Sequence, residues 1–127
     1  MDTSYKSSKK PDLEDRTLKF PSDIVGFIEQ IPRSIPNNKI AKQVVRSAGS
    51  VGANYIEANE ALGKKDFLLR LRICRKEAKE TAYWLKLILV SGVFNDKRNM
   101  LLQEANELTK IFGAIVTKLQ ATEKFRN

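Results

Sequence analysis

The sequence predicts an all-α protein, an antiparallel up-and-down four-helix bundle, and three observations carry that prediction. Apolar residues recur at steps of three and four along four successive segments. No segment alternates apolar and polar residues as a half-buried strand would. The segments are joined by short stretches rich in proline, glycine and asparagine. Four amphipathic helices with short connections bury their stripes best around one shared core. At 127 residues the chain has room for one ordinary domain. Residues 11–127 are assigned to it. Residues 1–10, polar, rich in Ser and Lys and without periodicity, are assigned to a disordered basic tail.

The first helix is expected over about residues 12–31, opened by Pro11-Asp12 and carried by Leu13, Leu18, Ile24, Phe27, Ile28 and Ile31. Pro21 inside it predicts a kink or short break near Phe20. "IPRSIPNN" then stops the helix, and its Asn pair starts the second, over about 38–62. There Ile40, Val44, Ala48, Val51, Tyr55, Ala58 and Leu62 form one apolar face, with Gly63 as terminator. The third, about 65–91, places Phe67, Leu71, Cys74, Ala78, Thr81, Leu85 and Ile88 at alternating steps of 4 and 3, and Gly92 closes it. The fourth, about 97–124, follows Asn95-Asp96 and buries Leu101, Ala105, Leu108, Phe112, Ile115 and Leu119. No internal repeat is visible, so a helical solenoid is set aside.

Composition narrows the function classes. Twenty-three Lys and Arg against 15 Asp and Glu give a net charge of +8, which favours a polyanionic partner or serves solubility. The single cysteine, Cys74, permits no internal disulfide and fits a reducing compartment, so the cytoplasm is the expected location. The N-terminal stretch lacks the apolar core of a signal peptide, and no run spans a membrane. The chain has no histidine, hence neither the commonest general base nor the commonest metal ligand. No catalytic residue, cofactor or metal is assigned.

The stretch from Ser47 to Phe67 crowds glycines, asparagines and glutamates together. Its "GSVG" has neither dinucleotide nor Walker spacing, and no strand precedes it, so it is no phosphate loop. A KH loop needs strands that the chain lacks. Glu57 and Glu60, with Glu77 and Glu80, suggest a carboxylate metal site, but di-iron bundles complete theirs with histidine. A solvated or ion-paired face, with Arg46 or Arg70 as partner of a partly buried Glu57 or Glu77, explains these glutamates better. Gly49, Gly52, Ala53 and Ile56 lie together beside the apolar face. Each helix-interior glycine costs about 0.8–1 kcal/mol relative to alanine, so this flank is shaved for close approach, by a helix of the same bundle or of a second subunit. We take Gly49, Gly52, Ala53 and Ile56, with Tyr83 and Trp84, as candidate subunit-interface residues.

On the third helix Lys65, Arg72, Arg75, Lys76, Lys79 and Lys86 fall within about a 100° arc, while Asp66, Glu77 and Glu80 collect on another. Lys64 extends the basic arc at the helix start. These seven are the candidate nucleic-acid-binding residues: such a stripe follows phosphates with little sequence reading and a steep dependence on salt. The competing reading is a solvated face with intersubunit ion pairs. Tyr83 and Trp84 are expected to be packed or interfacial, leaving the stripe without stacking aromatics.

Gln43, Arg46-Ser47-Ala48, Ser50, Ala53-Asn54, Glu57, Lys65-Asp66-Phe67, Lys76-Glu77 and Glu80 together resemble the signature of the 23S rRNA intervening sequence protein family. "LEDRTLKF" resembles the first helix of that family, and the similarity extends from Leu13 to Leu119. Pro21 and the double-proline linker depart from its pattern. The resemblance implies a four-helix bundle that assembles as a homopentamer and has no recognised catalytic activity. A further similarity, to the accessory variability proteins of diversity-generating retroelements, implies partners among nucleic acids and reverse transcriptase-like proteins. The expected function is therefore a non-enzymatic, oligomeric RNA-binding bundle, with a protein-interaction module that does not bind nucleic acid as the alternative.

Overall fold

Side-chain caps fix where the first two helices begin. Asp12 Oδ1 accepts from the Asp15 amide at 2.9 Å and opens α1, Leu13–Gln30. Ser34 Oγ accepts from the Asn37 amide at 3.1 Å and opens α2, Ile35–Asn59. α3 spans Lys64–Leu87 and α4 Val93–Arg126. These elements belong to a computed structural model that describes residues 12–126. The assigned tail, 1–10, lies outside the described residues. α2 packs on α1 and α3, α4 packs on α3, and α1 closes the ring against α4, with no diagonal pair in contact. This is the all-α four-helix bundle that the periodicity predicts.

The core takes Phe20, Ile24 and Phe27 from α1, Val44, Ala48 and Val51 from α2, Leu71, Cys74, Ala78 and Leu85 from α3, and Ala105, Leu108 and Phe112 from α4. Burying each large side chain contributes about 1.5–3 kcal/mol. The α3 seam is buried as its 4-3 spacing predicts from Leu71 to Ile88, with Phe67 half-buried against it. Small residues line its contact with α2: Thr81 Oγ1 lies 2.7 Å from both Ser47 Oγ and the Glu77 carbonyl. The Cys74 thiol donates to the Val51 carbonyl at 3.4 Å. Its pKa is pushed up to about 12 by desolvation, which leaves it inert as a nucleophile.

Several helix ends differ from the sequence reading. "IPNN" starts α2 rather than preceding it, because Pro36 lies in the first turn, where its missing amide is no loss. Asn37 is instead a buried clamp. Its side chain donates to the Pro32 and Leu89 carbonyls at 3.2 and 2.9 Å and accepts from the Leu89 amide at 2.9 Å, tying two connections together. α2 stops at Asn59, and Leu62 is fully exposed. Gly63 is extended and caps α3, its carbonyl accepting from the Phe67 amide at 3.0 Å. α3 ends at Leu87 rather than 91. Gly92, at φ +60°, leads into α4, which begins four residues before the expected 97. Leu62 and Ile88 continue the apolar rhythm past the real ends, so periodicity alone overshoots. Leu18 is 70% exposed, and Phe20 takes its place in the core.

α1 runs through Pro21 without a break. Pro21 has no amide to offer the Thr17 carbonyl one turn back. That carbonyl lies against α2: a Cβ on Gly52 would stand 2.6 Å from the Thr17 oxygen. The proline and the glycine are thus two halves of one close helix contact. Gly49 faces open space.

The two glycines should respond oppositely to alanine. Gly52→Ala forces the Thr17 backbone away, and overpacking of about 1–3 kcal/mol outweighs the roughly 1 kcal/mol gained in helix propensity. Gly49→Ala should stabilise the isolated bundle by up to about 1 kcal/mol. Denaturant unfolding of the two variants checks the pair.

Candidate nucleic-acid interface

The narrow buried seam of α3 leaves the rest of its circumference to charge, and the bundle sorts that charge by neighbour. On the α2 side, Arg46 Nη1 donates to Glu77 Oε2 at 3.0 Å, and its Nη2 donates to Glu80. Gln43 Oε1 accepts from Arg46 Nε at 3.1 Å, and Trp84 Nε1 donates to Glu80 Oε2 at 3.1 Å. Arg70 donates to Asn54 Oδ1 at 3.1 Å and stands 3.9 Å from Asp66. Glu77 is 6% exposed, so of the two candidate partners for a partly buried glutamate Arg46 holds it. Glu57 and Glu60 are exposed.

The cations lie elsewhere on the helix. Lys65, Arg72, Arg75, Lys76, Lys79 and Lys86 are exposed and Lys64 is half-buried. Among the described residues, the salt bridges engage Arg16, Lys19, Arg46 and Arg70, and none of these seven. α3 therefore has its carboxylates bonded on one edge and an unpaired row of positive charge on the other.

Beyond that row, an open groove of about 570 Å³ runs along α4, lined by Lys110, Gly113, Thr117 and Lys118, with Arg75 reaching it from α3. Arg75 lies across Gly113, where a Cβ would stand 3.3 Å from its Nε. The sequence reading, taken one helix at a time, misses Lys110 and Lys118. Their signal is two lysines eight residues apart, flanking a helix-interior glycine on one face. The seam of α4 with α1 has the opposite character. Its groove of about 580 Å³ carries Asp15, Asp23, Glu104 and Glu107. Arg16 spans it, donating to Glu104 at 2.6 and 3.0 Å and to Glu107 at 3.2 Å. These bonds, Glu104 foremost, raise the Arg16 pKa.

The candidate interface residues fall in three settings. Gly49, Ala53 and Ile56 are exposed on α2, beside exposed Val45, Leu18 and Val25. Gly52 is spent on the contact with Thr17 within the chain. Trp84 is half-buried against the core, and the Tyr83 ring meets it edge-on, 5.0 Å between centroids at 71°. Tyr83 itself is 56% exposed. It shares the outward face with Lys79 and Lys86, so within the chain it is not packed.

The sequence profile described as 23S rRNA-intervening sequence protein matches residues 10–114. The chain belongs to that family. Among solved structures it is similar to a protein of unknown function from the S23 ribosomal protein family of Bacteroides thetaiotaomicron, at 28% identity with a TM-score of 0.71. The match covers 83% of this chain and 98% of the other. No curated protein matches the chain. None of the described helices is long and apolar enough to cross a membrane.

The Arg46 clamp makes a stability prediction. Arg46→Ala leaves the Glu77 carboxylate in place without its cation. We expect a loss of about 1–3 kcal/mol, held to that range by the partial exposure of the arginine. Most of it should return in Arg46→Ala/Glu77→Gln, where the charge is gone as well. Urea unfolding of the parent, the single and the double variant measures both steps.

Proposed function

We propose that this protein is a non-enzymatic, self-associating helical bundle that binds RNA through the basic face of α3. One observation carries the reading. The bundle bonds the acidic residues of α3 to cations on α2 and in its own first turns, yet leaves Lys65, Arg72, Arg75, Lys76, Lys79 and Lys86 exposed without salt bridges among the described residues. Concentrating that many like charges on one helix raises repulsion in the free protein, and a polyanion relieves it while releasing counterions. Membership of a family described by a ribosomal RNA intervening sequence points the same way. Cys74 is buried and Glu77 and Glu80 are held by Arg46, so these groups are not presented as a nucleophile or base. We place it in the cytoplasm.

Self-association rests on two unlike exposed apolar patches. One combines Leu18 and Val25 of α1 with Val45 and Ile56 of α2, around Gly49 and Ala53. The other is near the end of α3, at Tyr83 and Leu87. A contact between unlike patches is heterologous and closes into a ring when the rotation permits. A homopentamer is the ring that the family resemblance implies. A protein-interaction role without nucleic acid would use the same patches and leave the cations to solvent.

Reversing Arg72, Arg75, Lys76 and Lys79 to Glu should abolish binding to structured RNA in an anisotropy titration. The parent should lose affinity by orders of magnitude between about 50 and 200 mM salt. A quadruple variant that binds as the parent does removes the assignment to α3. Light scattering on the parent gives the assembly mass, and a monomer at micromolar concentration removes the ring.

A further inference from the structure

We infer that the seat for the ligand is the groove between α3 and α4, and that the ligand it takes is the phosphodiester backbone of a helical duplex. The inference rests on the RNA-binding reading above and adds a second helix and a ligand class to it.

α4 borders two grooves of similar size, and their charges decide between them. The one against α1 carries four carboxylates and two cations, Arg16 and Lys19, already bonded to carboxylates. The one against α3 carries Arg75, Lys110 and Lys118, and no carboxylate lines it among the described residues. None of these three cations enters a salt bridge or a side-chain hydrogen bond among the described residues. An open groove with Arg75 on its α3 side and Lys110 and Lys118 on its α4 side neutralises a phosphate chain from two helices, which a row on a single convex helix does not.

Shape and composition select the ligand class. The lining runs from Thr109 to Ala121, about 18 Å at the helical rise of 1.5 Å per residue. Lys110 and Lys118 stand eight residues apart, about 12 Å along the axis, the rise of three to four nucleotides at about 3.4 Å each. The floor is Gly113 and Ala114, and Arg75 lies over that glycine. A backbone ridge entering there meets the Arg75 guanidinium directly. Among the described residues no aromatic lines the groove, so they offer no platform for unstacked bases, which single-strand binders depend on. Tyr83 is eight residues along α3 from Arg75, about 12 Å away and outside the lining. Duplex RNA is held through its shape, phosphates and 2′-hydroxyls, and the Thr117 hydroxyl lies on the groove wall to meet such groups.

The test uses the full chain and three probes: a blunt RNA duplex of about 20 base pairs, longer than the roughly 16 a double-stranded RNA domain spans, a duplex DNA of the same length, and one strand of the RNA alone. Affinities are compared at equal salt and equal phosphate concentration. Duplex RNA should bind at least about tenfold tighter than the single strand. Weaker binding of duplex DNA would assign the seat to RNA, and equal binding to either duplex. A single strand that binds as tightly as the duplex overturns the ligand class. Lys110→Glu/Lys118→Glu should lower duplex affinity at least about tenfold, and Lys39→Glu/Lys97→Glu, with the same change in net charge, by less than about twofold. Both pairs are exposed, and circular dichroism confirms that each variant keeps its helices. Unchanged duplex binding by the Lys110/Lys118 variant, with binding lost on reversal of the α3 cations, overturns the groove and leaves the α3 reading standing. If neither set weakens binding, both fall.

Discussion

The close approach of α2 to α3 is the constraint on which the rest of the molecule depends. Ser47, Ala48 and Val51 face Cys74, Ala78 and Thr81, all of them small or β-branched and all buried. Small side chains at a helix contact allow the axes to approach closely, and here the Cys74 thiol reaches the Val51 carbonyl. At that separation the Ser47 and Thr81 hydroxyls bond to each other and to backbone carbonyls, so none is left unsatisfied in the interior. The same closeness puts Arg46 within reach of Glu77 and Glu80. The acidic edge of α3 is consequently drawn toward α2, and the cations remain on its exposed face, with Arg75 reaching toward α4. The charge separation on the surface thus follows from the packing beneath it.

A second close contact, between α1 and α2, shows how two unfavourable local choices become one favourable one. Pro21 removes a helix hydrogen bond and Gly52 lowers helix propensity, and each would destabilise an isolated helix. Together they let the Gly52 backbone lie against the Thr17 carbonyl. Gly49 has no such neighbour within the chain, and it stands among exposed apolar residues of α1 and α2. Of two glycines three residues apart, one is explained inside the bundle, and the other has open space on its outer side.

What the sequence made legible was whatever repeats along one helix. The 4-3 rhythm from Leu71 to Ile88, the gathering of lysines and arginines on one arc of α3, and Cys74 as a core residue were all readable before any packing was known. Helix ends were not, because Leu62 and Ile88 extend the apolar rhythm beyond the last turn, and because Gly63 and Gly92 serve as entries to the next helix rather than exits from the last. Leu18 and Phe20, two residues apart, illustrate the same limit: both are large and apolar, and the choice of which is buried belongs to the neighbouring helices. Lys110 and Lys118 look like ordinary surface lysines until the fold places them opposite Arg75. For Tyr83 the sequence leaves packed and interfacial positions open, and within the chain its ring leans on Trp84 from outside.

The functional account reduces to where negative charge meets this surface. Lysine acylation read out by mass spectrometry, with and without duplex RNA, locates that meeting directly. The account predicts slowed labelling of Lys76, Lys79, Lys86, Lys110 and Lys118, while Lys39, Lys42 and Lys97 are labelled at unchanged rates. Protection that falls equally on all exposed lysines, or that concentrates on Lys39, Lys42 and Lys97, would contradict it.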